Sequence, residues 1–543
     1  MKLDLAVFSD GGKRNLLNLN TVFRQLLWLQ APGQKPVSHL VSCVVLPAFA
    51  IVYIFFLTGC ASGSQAYNPN RKYSPDELKQ DYNVAWDTYR ENHPSLYWYN
   101  SKETVDKGFS DVYSSLTDSM TELEFRNKMA VAIEKVKCGH SSIRLSKAFG
   151  KYAGKIRFDS SFPLSMKTWG GDSLVITRNA FRKDSQLVRG TVVTAINGKT
   201  VKQLISQMAE YISTDGFNDN FKYQVISNSF PVYYRYAFGL SNIYEIKYVG
   251  ADGEQRVKRL FNYNPRADST DRRTMPMPAL PGSRKRPSKK EFRTFLLQSN
   301  QNLTIDTVNR LGYMLLNSFS GAKLNQFFRQ SFRKMNDLGI PNLVIELREN
   351  GGGNISKSTR LTRYLVDHPF RVADTAMAVS FKYPYPHQVK AGFWYKAEHW
   401  IVSPWRSKDG NYHFRQLEKK TWKPFRNKHY NGHVYIITGG YTFSAATLFT
   451  YPLKGQKNVT VIGEETGGGA YGNTAVNIPD LVLPNTGIRI RLPLYRLVQD
   501  KNLPHNGRGI MPDVYVPPGS VFLKNNIDPK MEKVKELIKN RSN

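Results

Sequence analysis

Apolar side chains recur at helical spacing in the chain after residue 73. Ser74-Pro75, followed by two acidic residues, is typical of a helix start, and the apolar stripe that follows ends at His93-Pro94. Similar stripes predict helices over residues 102–116 and 121–136. Together these elements predict an N-terminal helical domain over residues 74–147.

The pattern changes to short strands between residues 148 and 265. The dipeptide Asn197-Gly198 is a strong turn signal between strands. This part of the chain is therefore predicted to be a β domain, with strands at 174–177, 191–196 and 243–249.

Strands and helices alternate from residue 295 to residue 530, which is typical of an α/β core. The chain as a whole is predicted to be a multidomain protein that combines α+β and α/β parts, with a C-terminal helix or tail over 531–543. In the core, strands are predicted at 311–316, 342–347, 433–438, 459–462 and 488–494, and helices at 323–338, 356–367 and 444–450.

The stretch from His433 to Tyr451 holds the main candidate for chemistry. An apolar, β-branched run ends at Gly439-Gly440, and a helix-compatible segment begins at Ser444. A serine at a helix N-terminus lies beside unpaired N–H groups and the positive end of the helix dipole. Ser444 is therefore either a helix cap or a nucleophile whose oxyanion these N–H groups stabilise.

A second glycine turn, Gly351-Gly352-Gly353, also lies between a predicted strand and a predicted helix. Bare N–H groups in such a turn can bind an anion, but the turn lacks the ending and spacing of nucleotide-binding loops. It and the start of the Ser444 helix can each supply one N–H group to an oxyanion hole.

His140 stands at a corner between a predicted helix and a predicted strand, directly after Gly139. Such a corner can present a side chain into a cleft. The alternative is a histidine that satisfies only local backbone groups.

Composition limits the classes of protein to which the chain can belong. Its 543 residues are 41% hydrophobic, which suffices for two or three globular domains. The net charge of +33 suits nucleic acid, an anionic membrane surface or a basic compartment. No zinc-finger, basic-zipper or RNA-recognition pattern occurs, so no nucleic-acid partner is predicted. Residues 266–294 are rich in Pro, Arg, Lys and Ser and predict a flexible basic linker.

The N-terminal region contains an apolar run, Leu40 to Leu57, that is long enough to enter a membrane. The run ends at Thr58-Gly59-Cys60, and Leu57 to Cys60 resembles the lipobox of bacterial lipoproteins, in which the cysteine takes the lipid. The alternative is a signal anchor that is never cleaved. We expect residues 1–59 to be a leader and 60–73 a tether, although a leader of this length is atypical unless the true start is downstream. The predicted location is the bacterial cell envelope, facing the periplasm or the exterior.

Only Cys138 lies in the part predicted to fold, because Cys43 and Cys60 fall in or beside the apolar run. One cysteine forms no internal disulfide, and no zinc ligand set can be assembled from this chain. The sequence therefore predicts no metal and no cofactor.

Several stretches occur in the order of a known family. In this order they resemble the C-terminal processing (tail-specific) peptidases and their relatives in the tricorn core, over about residues 74–530. The resemblance implies serine peptidases with a crotonase-like (ClpP/crotonase) α/β spiral core. The stretches are Cys138 to Ser141, Glu346 to Gly353, Thr442 to Ala446, Gly463 to Gly469 and Gly507 to Asp513.

The stretch Gly190 to Gly198 is similar to the Ile-Asn-Gly stretch of PDZ-like domains, which add a peptide as an extra strand. Residues 148–265 are therefore predicted to be a PDZ-like module. The alternative is a structural β module without a peptide site.

The family resemblance assigns roles to specific residues. It places Ser444 at the nucleophile position and the N–H groups of Gly351, Gly352 and Ala445 at the oxyanion positions. Tricorn-like members use a histidine base at the position of His140, which would take the hydroxyl proton of the serine.

Two departures from the family pattern affect the base and its partner. The lysine base of tail-specific members is missing, because its positions hold Glu465 and Gly469. The glutamate that orients the histidine in tricorn-like members is replaced at about Asn506, with Asp500 nearby. The sequence thus predicts a Ser–His pairing with Asn506 or Asp500 as the orienting group.

These features predict a membrane-tethered serine endopeptidase that hydrolyses peptide bonds of extracytoplasmic proteins. Its partners would be a polypeptide substrate and a membrane, reached through lipidated Cys60. The alternative is a catalytically inactive relative that binds peptides or apolar ligands. The sequence does not predict an oligomeric state.

Overall fold

The computed structural model describes residues 67–156, 161–263 and 288–542. The predicted leader, Cys60 and the first part of the tether lie outside these ranges, as do residues 264–287 of the predicted linker. Residues from Pro69 onward form one compact unit. No helix among the described residues is long and apolar enough to cross a membrane.

Helices dominate the first part, as the apolar spacing predicts. Ser74 and Thr121 begin two of them with capping boxes, in which Glu77 and Glu124 complete the exchange of hydrogen bonds with the backbone. The elements are β1 (Lys72–Tyr73), α1 (Pro75–Asn92), α2 (Lys102–Ser114), β2 (Met120–Thr121), α3 (Glu122–Glu134), β3 (Ile143–Arg144) and α4 (Lys147–Ile156).

These helices do not form a core of their own, in contrast to the predicted separate domain over 74–147. Their buried side chains belong to one apolar cluster with residues between 372 and 497. Tyr89 donates its hydroxyl hydrogen to the carbonyl of Arg491, and β3 pairs with Arg489–Arg491. Three short helices bury too little apolar surface alone, and the C-terminal part supplies the rest.

Residues 161–263 form an inserted module with its own apolar cluster. A four-stranded sheet has the order β7 (Lys199–Thr200), β6 (Val193–Ile196), β8 (Ile243–Val249), β9 (Gln255–Phe261), and a second sheet pairs β4 (Leu164–Trp169) with β5 (Ser173–Asn179). The three predicted strands are present, whereas three helices were not predicted. The helices are α5 (Val201–Ala209), α6 (Asp219–Asn228) and α7 (Phe230–Phe238).

The C-terminal part begins within the predicted linker. That prediction is wrong for its last residues, because Ser288 caps a helix that starts at Lys289 and has a capping box with Glu291. The elements up to the first site strand are α8 (Lys289–Asn300), β10 (Gln301–Asp306), β11 (Leu311–Leu316), α9 (Leu324–Asp337), β12 (Asn342–Glu346), α10 (Ile355–Thr362), β13 (Thr375–Ala378), α11 (Gly392–Val402), β14 (Tyr412–His413), α12 (Arg415–Lys419) and β15 (His433–Thr438).

The remaining elements complete three sheets and end in two helices. They are α13 (Ala445–Thr450), a 3₁₀ turn (Tyr451–Leu453), β16 (Val459–Gly463), β17 (Gly472–Ala475), β18 (Asp480–Val482), β19 (Arg489–Arg491), β20 (Tyr495–Val498), β21 (Val514–Tyr515), α14 (Ser520–Lys524) and α15 (Pro529–Ser542).

A six-stranded sheet positions the candidate site. Its order is β10-β11-β12-β15-β16-β21, and all pairs are parallel except β10 with β11. All six residues of β15 are buried, as expected for a central strand covered on both faces. In a parallel sheet the carboxyl ends of neighbouring strands meet at one edge. The turns after β12, β15 and β16 therefore lie together, and all three contain the glycine stretches singled out in the sequence.

Candidate active site

Ser444 occupies the turn between β15 and α13. Its φ of 56° and ψ of −122° are unusual for a residue with a side chain. The serine precedes the helix without making a side-chain cap bond, and it is only half-buried. Such backbone strain costs on the order of 1–3 kcal/mol and persists where the surrounding structure enforces it. The Ser444 hydroxyl therefore does not cap the start of the helix and remains available for another role.

The glycine turn after β12 packs directly against this serine. Gly352 has a φ of 97°, and a Cβ atom there would lie 2.7 Å from the Ser444 Cβ and 3.0 Å from the Ala445 nitrogen. Only glycine permits this approach. The two glycine-containing turns therefore meet at the serine.

Asn350 fixes the shape of the glycine turn, a role that the sequence did not reveal. Its buried side chain accepts the Gly352 N–H at 2.9 Å and donates to the Leu316 carbonyl at 2.8 Å. Its own carbonyl accepts the Phe443 N–H at 3.0 Å. One side chain and its backbone thereby join the glycine turn to the serine turn.

The three N–H groups predicted as oxyanion donors differ in whether they already donate a hydrogen bond within the protein. The Gly352 N–H is already donated to Asn350, whereas the N–H groups of Gly351 and Ala445 donate to no acceptor in the described part of the protein. An oxyanion hole needs donors that are not committed elsewhere. The geometry therefore favours Gly351 and Ala445 as the donors of the predicted set.

The turn after β16 forms a third wall. The Gly468 N–H donates to the Thr442 carbonyl at 3.2 Å, and a Cβ at Gly468 would lie 3.1 Å from the Ser444 nitrogen. Glu465, one of the two positions of the family's lysine base, is buried and accepts the Gly509 N–H at 2.7 Å. Gly469 is the other position, and neither supplies a base near the serine.

His140 lies beside the serine turn but is not hydrogen-bonded to Ser444. Its ring centroid lies 4.8 Å from that of Phe443, the residue before the serine. The His140 Nδ1 atom is buried and has no hydrogen-bond partner among the described residues. Desolvation, with a smaller contribution from the charge of Arg491, lowers the pKa of His140 to about 3. The imidazole is therefore neutral at pH 7, and the same desolvation makes it a weak base in this geometry.

The two predicted orienting groups are engaged elsewhere. Asn506 is exposed, and its side-chain oxygen accepts the Arg508 N–H at 3.0 Å. Asp500 accepts hydrogen bonds from the Tyr451 hydroxyl and from the Asn502 N–H. The structure does not bring either side chain into hydrogen bonding with His140.

Asp215 is a second residue that sequence reasoning missed. It comes from the inserted module, is only 1% exposed, and accepts the Gly139 N–H at 2.9 Å and the Gly469 N–H at 3.4 Å. Desolvation raises the pKa of Asp215 to about 7, although both N–H donors oppose that change. One carboxyl group thus joins the turn before His140 to the glycine turn beside Ser444.

In the described ranges no three His, Cys, Asp or Glu side chains cluster as metal ligands do. The chemistry that the Ser444 region supports is nucleophilic. A strained, accessible serine, uncommitted N–H groups and a nearby neutral imidazole are the parts of an acyl-transfer site. Fold and site together define the class of serine hydrolases.

The comparisons with known proteins specify the class further. Residues 310–516 match the model of peptidase family S41. Mature CPAF complexed with lactacystin has a TM-score of 0.60 at 12% identity, covering 86% of this chain and 99% of that chain. Mature CPAF gives 0.58 at 12% identity, covering 86% and 98%. The photosystem II D1 C-terminal processing protease gives 0.39 at 14% identity, covering 85% and 97%. The sequence matches no curated protein.

Residues 310–516 are therefore similar to the peptidase domains of family S41, and this similarity identifies the protein as a serine-type peptidase. The similarity to C-terminal processing peptidases that the sequence suggested is confirmed at the level of this family. At such low identity the CPAF structures show a common fold. That fold extends beyond the matched residues to the N-terminal helices and the inserted module, since it covers 86% of the chain.

Proposed function

We propose that the protein is a membrane-tethered serine endopeptidase of the bacterial cell envelope, with Ser444 as nucleophile and His140 as base. The observation that carries the proposal is the Ser444 turn. The backbone of Ser444 is strained, and its hydroxyl makes no cap bond. Gly352 packs so closely against Ser444 that a Cβ atom added to Gly352 would lie 2.7 Å from the Ser444 Cβ. A serine that only capped a helix would need neither feature.

The proposed reaction follows from this geometry. The Ser444 oxygen attacks the carbonyl carbon of the scissile peptide bond while His140 takes the hydroxyl proton. Negative charge develops on the carbonyl oxygen and is stabilised by the N–H groups of Ala445 and Gly351. The C–N bond then breaks, the proton passes to the leaving amine, and water hydrolyses the acyl-enzyme. The neutral form of His140 is the one that this cycle requires at its start.

His140 must approach Ser444 for this cycle to run. The ring of Phe443 contacts the His140 imidazole and also stacks on Phe221, with the two phenylalanine ring centroids 4.6 Å apart. Catalytic hydrogen bonds are often loose before substrate binds. We propose that substrate binding brings the two catalytic side chains together.

A fluorophosphonate probe tests the nucleophile. We expect labelling of the full-length protein and no labelling of Ser444→Ala, because the probe needs an activated serine. Ser356→Ala is the matched control, since the Ser356 hydroxyl donates to the Asn354 side chain near the same edge of the sheet. Absence of labelling in folded wild-type protein would instead favour the inactive, ligand-binding relative. That alternative is consistent with the missing Ser444–His140 hydrogen bond.

Replacing His140 tests the base. We expect His140→Ala to lower kcat on an unfolded protein substrate at least about 100-fold, the lower range for general base catalysis. Full activity of this variant would contradict the Ser–His pairing while leaving Ser444 as nucleophile.

The membrane tether is proposed from the lipobox-like stretch that ends at Cys60. We expect Cys60→Ala to lose metabolic labelling by fatty acid, because the thiol that accepts the lipid is gone. Equal labelling of both proteins would disprove the anchor without affecting the proposed peptidase activity.

A further inference from the structure

Helix α11 (Gly392–Val402) faces its apolar side outward. Phe393, Trp394, Trp400 and Ile401 are 71–76% exposed, and Trp405 in the following turn is 70% exposed. At 100° per residue, the four helical positions lie within an arc of about 120° and therefore share one face. We call these five side chains the aromatic patch. A surface helix normally turns such a face toward the core.

The opposite face fixes the helix to the protein. Gly392 and His399 are buried, and the His399 Nδ1 lies 2.6 Å from the Tyr495 hydroxyl. The Lys396 ammonium lies 5.1 Å from the centre of the Tyr383 ring. The patch is therefore held outward by specific contacts on the inner face.

The size of the patch indicates a partner. Its four aromatic side chains expose roughly 600 Å², given 150–250 Å² for each side chain. Apolar patches of this size lie at the upper end of those on monomeric proteins and often mark a binding surface.

The charges around the patch select the kind of partner. Residues 390–409 contain four basic side chains, Lys390, Lys396, Arg406 and Lys408, all exposed. The same residues include two acidic side chains, Glu398 and Asp409. The Asp409 carboxylate already pairs with His413, with Oδ2 2.9 Å from Nε2. With a net charge of +33, two copies of this chain would meet with like charges at this surface, whereas an anionic surface would be complementary.

We propose that the aromatic patch docks the protein on an anionic lipid bilayer. Tryptophan and phenylalanine on one face with lysine and arginine beside them are the composition of a helix that lies in the interfacial plane. An 11-residue helix is roughly 16 Å long, too short to span the bilayer but suited to lying on it. This docking is independent of the proposed lipid on Cys60 and of the peptidase reaction.

Hydrogen exchange of the full-length protein with lipid vesicles tests the proposal, because it reads the patch separately from any other membrane contact. We expect vesicles containing phosphatidylglycerol to slow exchange in residues 390–405 at least fivefold, and vesicles of phosphatidylcholine alone to have less than half that effect. The triple variant W394S/W400S/W405S should lose this protection. Unchanged protection of β15 in the same measurement would show that this variant is folded.

A matched control removes exposed apolar side chains elsewhere. Val308, Tyr515 and Val521 are 61–90% exposed, and their triple replacement by serine should leave the vesicle-dependent protection intact. The proposal is overturned if no vesicle protects residues 390–405 or if the tryptophan variant remains protected. It is also overturned if protection without lipid rises with protein concentration, which would identify a second copy as the occupant.

Discussion

A helix cap and a catalytic serine place different demands on the backbone. A capping serine has extended dihedral angles and accepts an N–H from the first turn, as Ser74 does at the start of α1. Ser444 has a positive φ and makes no such bond. The sequence could locate both serines at helix starts, but it left these two roles open for Ser444. The dihedral angles and the missing cap bond distinguish them.

Other residues of the site could not be found from the sequence because their partners are distant in the chain. The Asn350 side chain donates a hydrogen bond to the carbonyl of Leu316, which is 34 positions away in the chain. Asp215 accepts hydrogen bonds from Gly139 and from Gly469, and Gly469 is 254 positions from Asp215. No local pattern marks such a residue. His140, in contrast, stands in a recognisable Cys-Gly-His-Ser stretch, and its ring contacts Phe443 in the serine turn.

The first prediction concerns Asp215. Burial raises the pKa of Asp215 from its ordinary value of 3.8 to about 7 in the folded protein, so the folded state binds the proton more tightly than the unfolded chain does between these pH values. That stabilisation is full below about pH 4 and is lost as the pH rises through 7. We expect the Asp215→Asn variant not to show this fall in the free energy of unfolding, because the amide does not titrate. Relative to wild type, the variant should gain up to roughly 1.4 kcal/mol per pH unit between pH 4 and 7.

Urea unfolding of both proteins at pH 5, 6, 7 and 8 measures this effect. The exposed Asp172, in the same inserted module, provides the control substitution Asp172→Asn, for which the pH dependence should match wild type. A constant difference in the free energy of unfolding between Asp215→Asn and wild type would contradict the prediction. Because an amide can accept only one of the two N–H groups, we also expect slower fluorophosphonate labelling of Ser444.

At the scale of elements, the C-terminal helix α15 stabilises the end of the central strand. Lys530 is buried and donates to the Thr438 carbonyl at 2.8 Å and to the Glu464 carboxylate at 2.7 Å. Thr438 is the last residue of β15, and the glycine turn toward Ser444 follows it. This contact connects the tail of the chain to the strand that carries the nucleophile.

The second prediction follows from this ion pair. We expect Lys530→Met to lower the free energy of unfolding by about 3–5 kcal/mol at pH 7, because it leaves the Glu464 carboxylate buried without its counter-charge. Urea unfolding of both proteins at pH 7 measures this loss.

The same helix provides the control. Lys535 pairs with Glu532 at 2.8 Å, but both side chains are exposed, so Lys535→Met should cost less than about 1 kcal/mol. The double variant Lys530→Met/Glu464→Gln should recover part of the stability lost in Lys530→Met. Equal effects of the two lysine substitutions would show that burial does not determine the strength of the Lys530 pair.

Elements with a regular pattern were predictable, and irregular ones were not. Strands β8, β11 and β15 have the bounds that the sequence predicts, because each is a continuous apolar or alternating run. Helix α11 was not predicted. Its apolar residues have helical spacing but face outward, so apolar spacing alone gives no information about which side is covered.

For the whole molecule, sequence order was a poor guide to packing. Separate domains were predicted from changes of pattern along the chain. Yet α1 shares its core with strands some 400 residues away, and the Tyr89–Arg491 hydrogen bond spans 402 positions. The inserted module, in contrast, has an apolar cluster of its own. Pattern changes mark where elements change type, but only the fold determines which elements share a core.

The third prediction concerns the net charge of +33, which no local contact in the chain can balance. Unbalanced like charges repel one another more strongly in the compact state than in the expanded unfolded chain. Salt screens this repulsion, since the screening length is about 30 Å at 0.01 M and about 8 Å at 0.15 M. The exposed ion pairs weaken with salt, but each contributes only about 0–1 kcal/mol. We therefore expect the melting temperature of the full-length protein to rise between 10 and 150 mM NaCl.

Calorimetry over this range measures the change, with glycerol at equal osmolality as the control for non-ionic effects. A melting temperature that falls with NaCl would mean that attractive ion pairs outweigh the net positive charge.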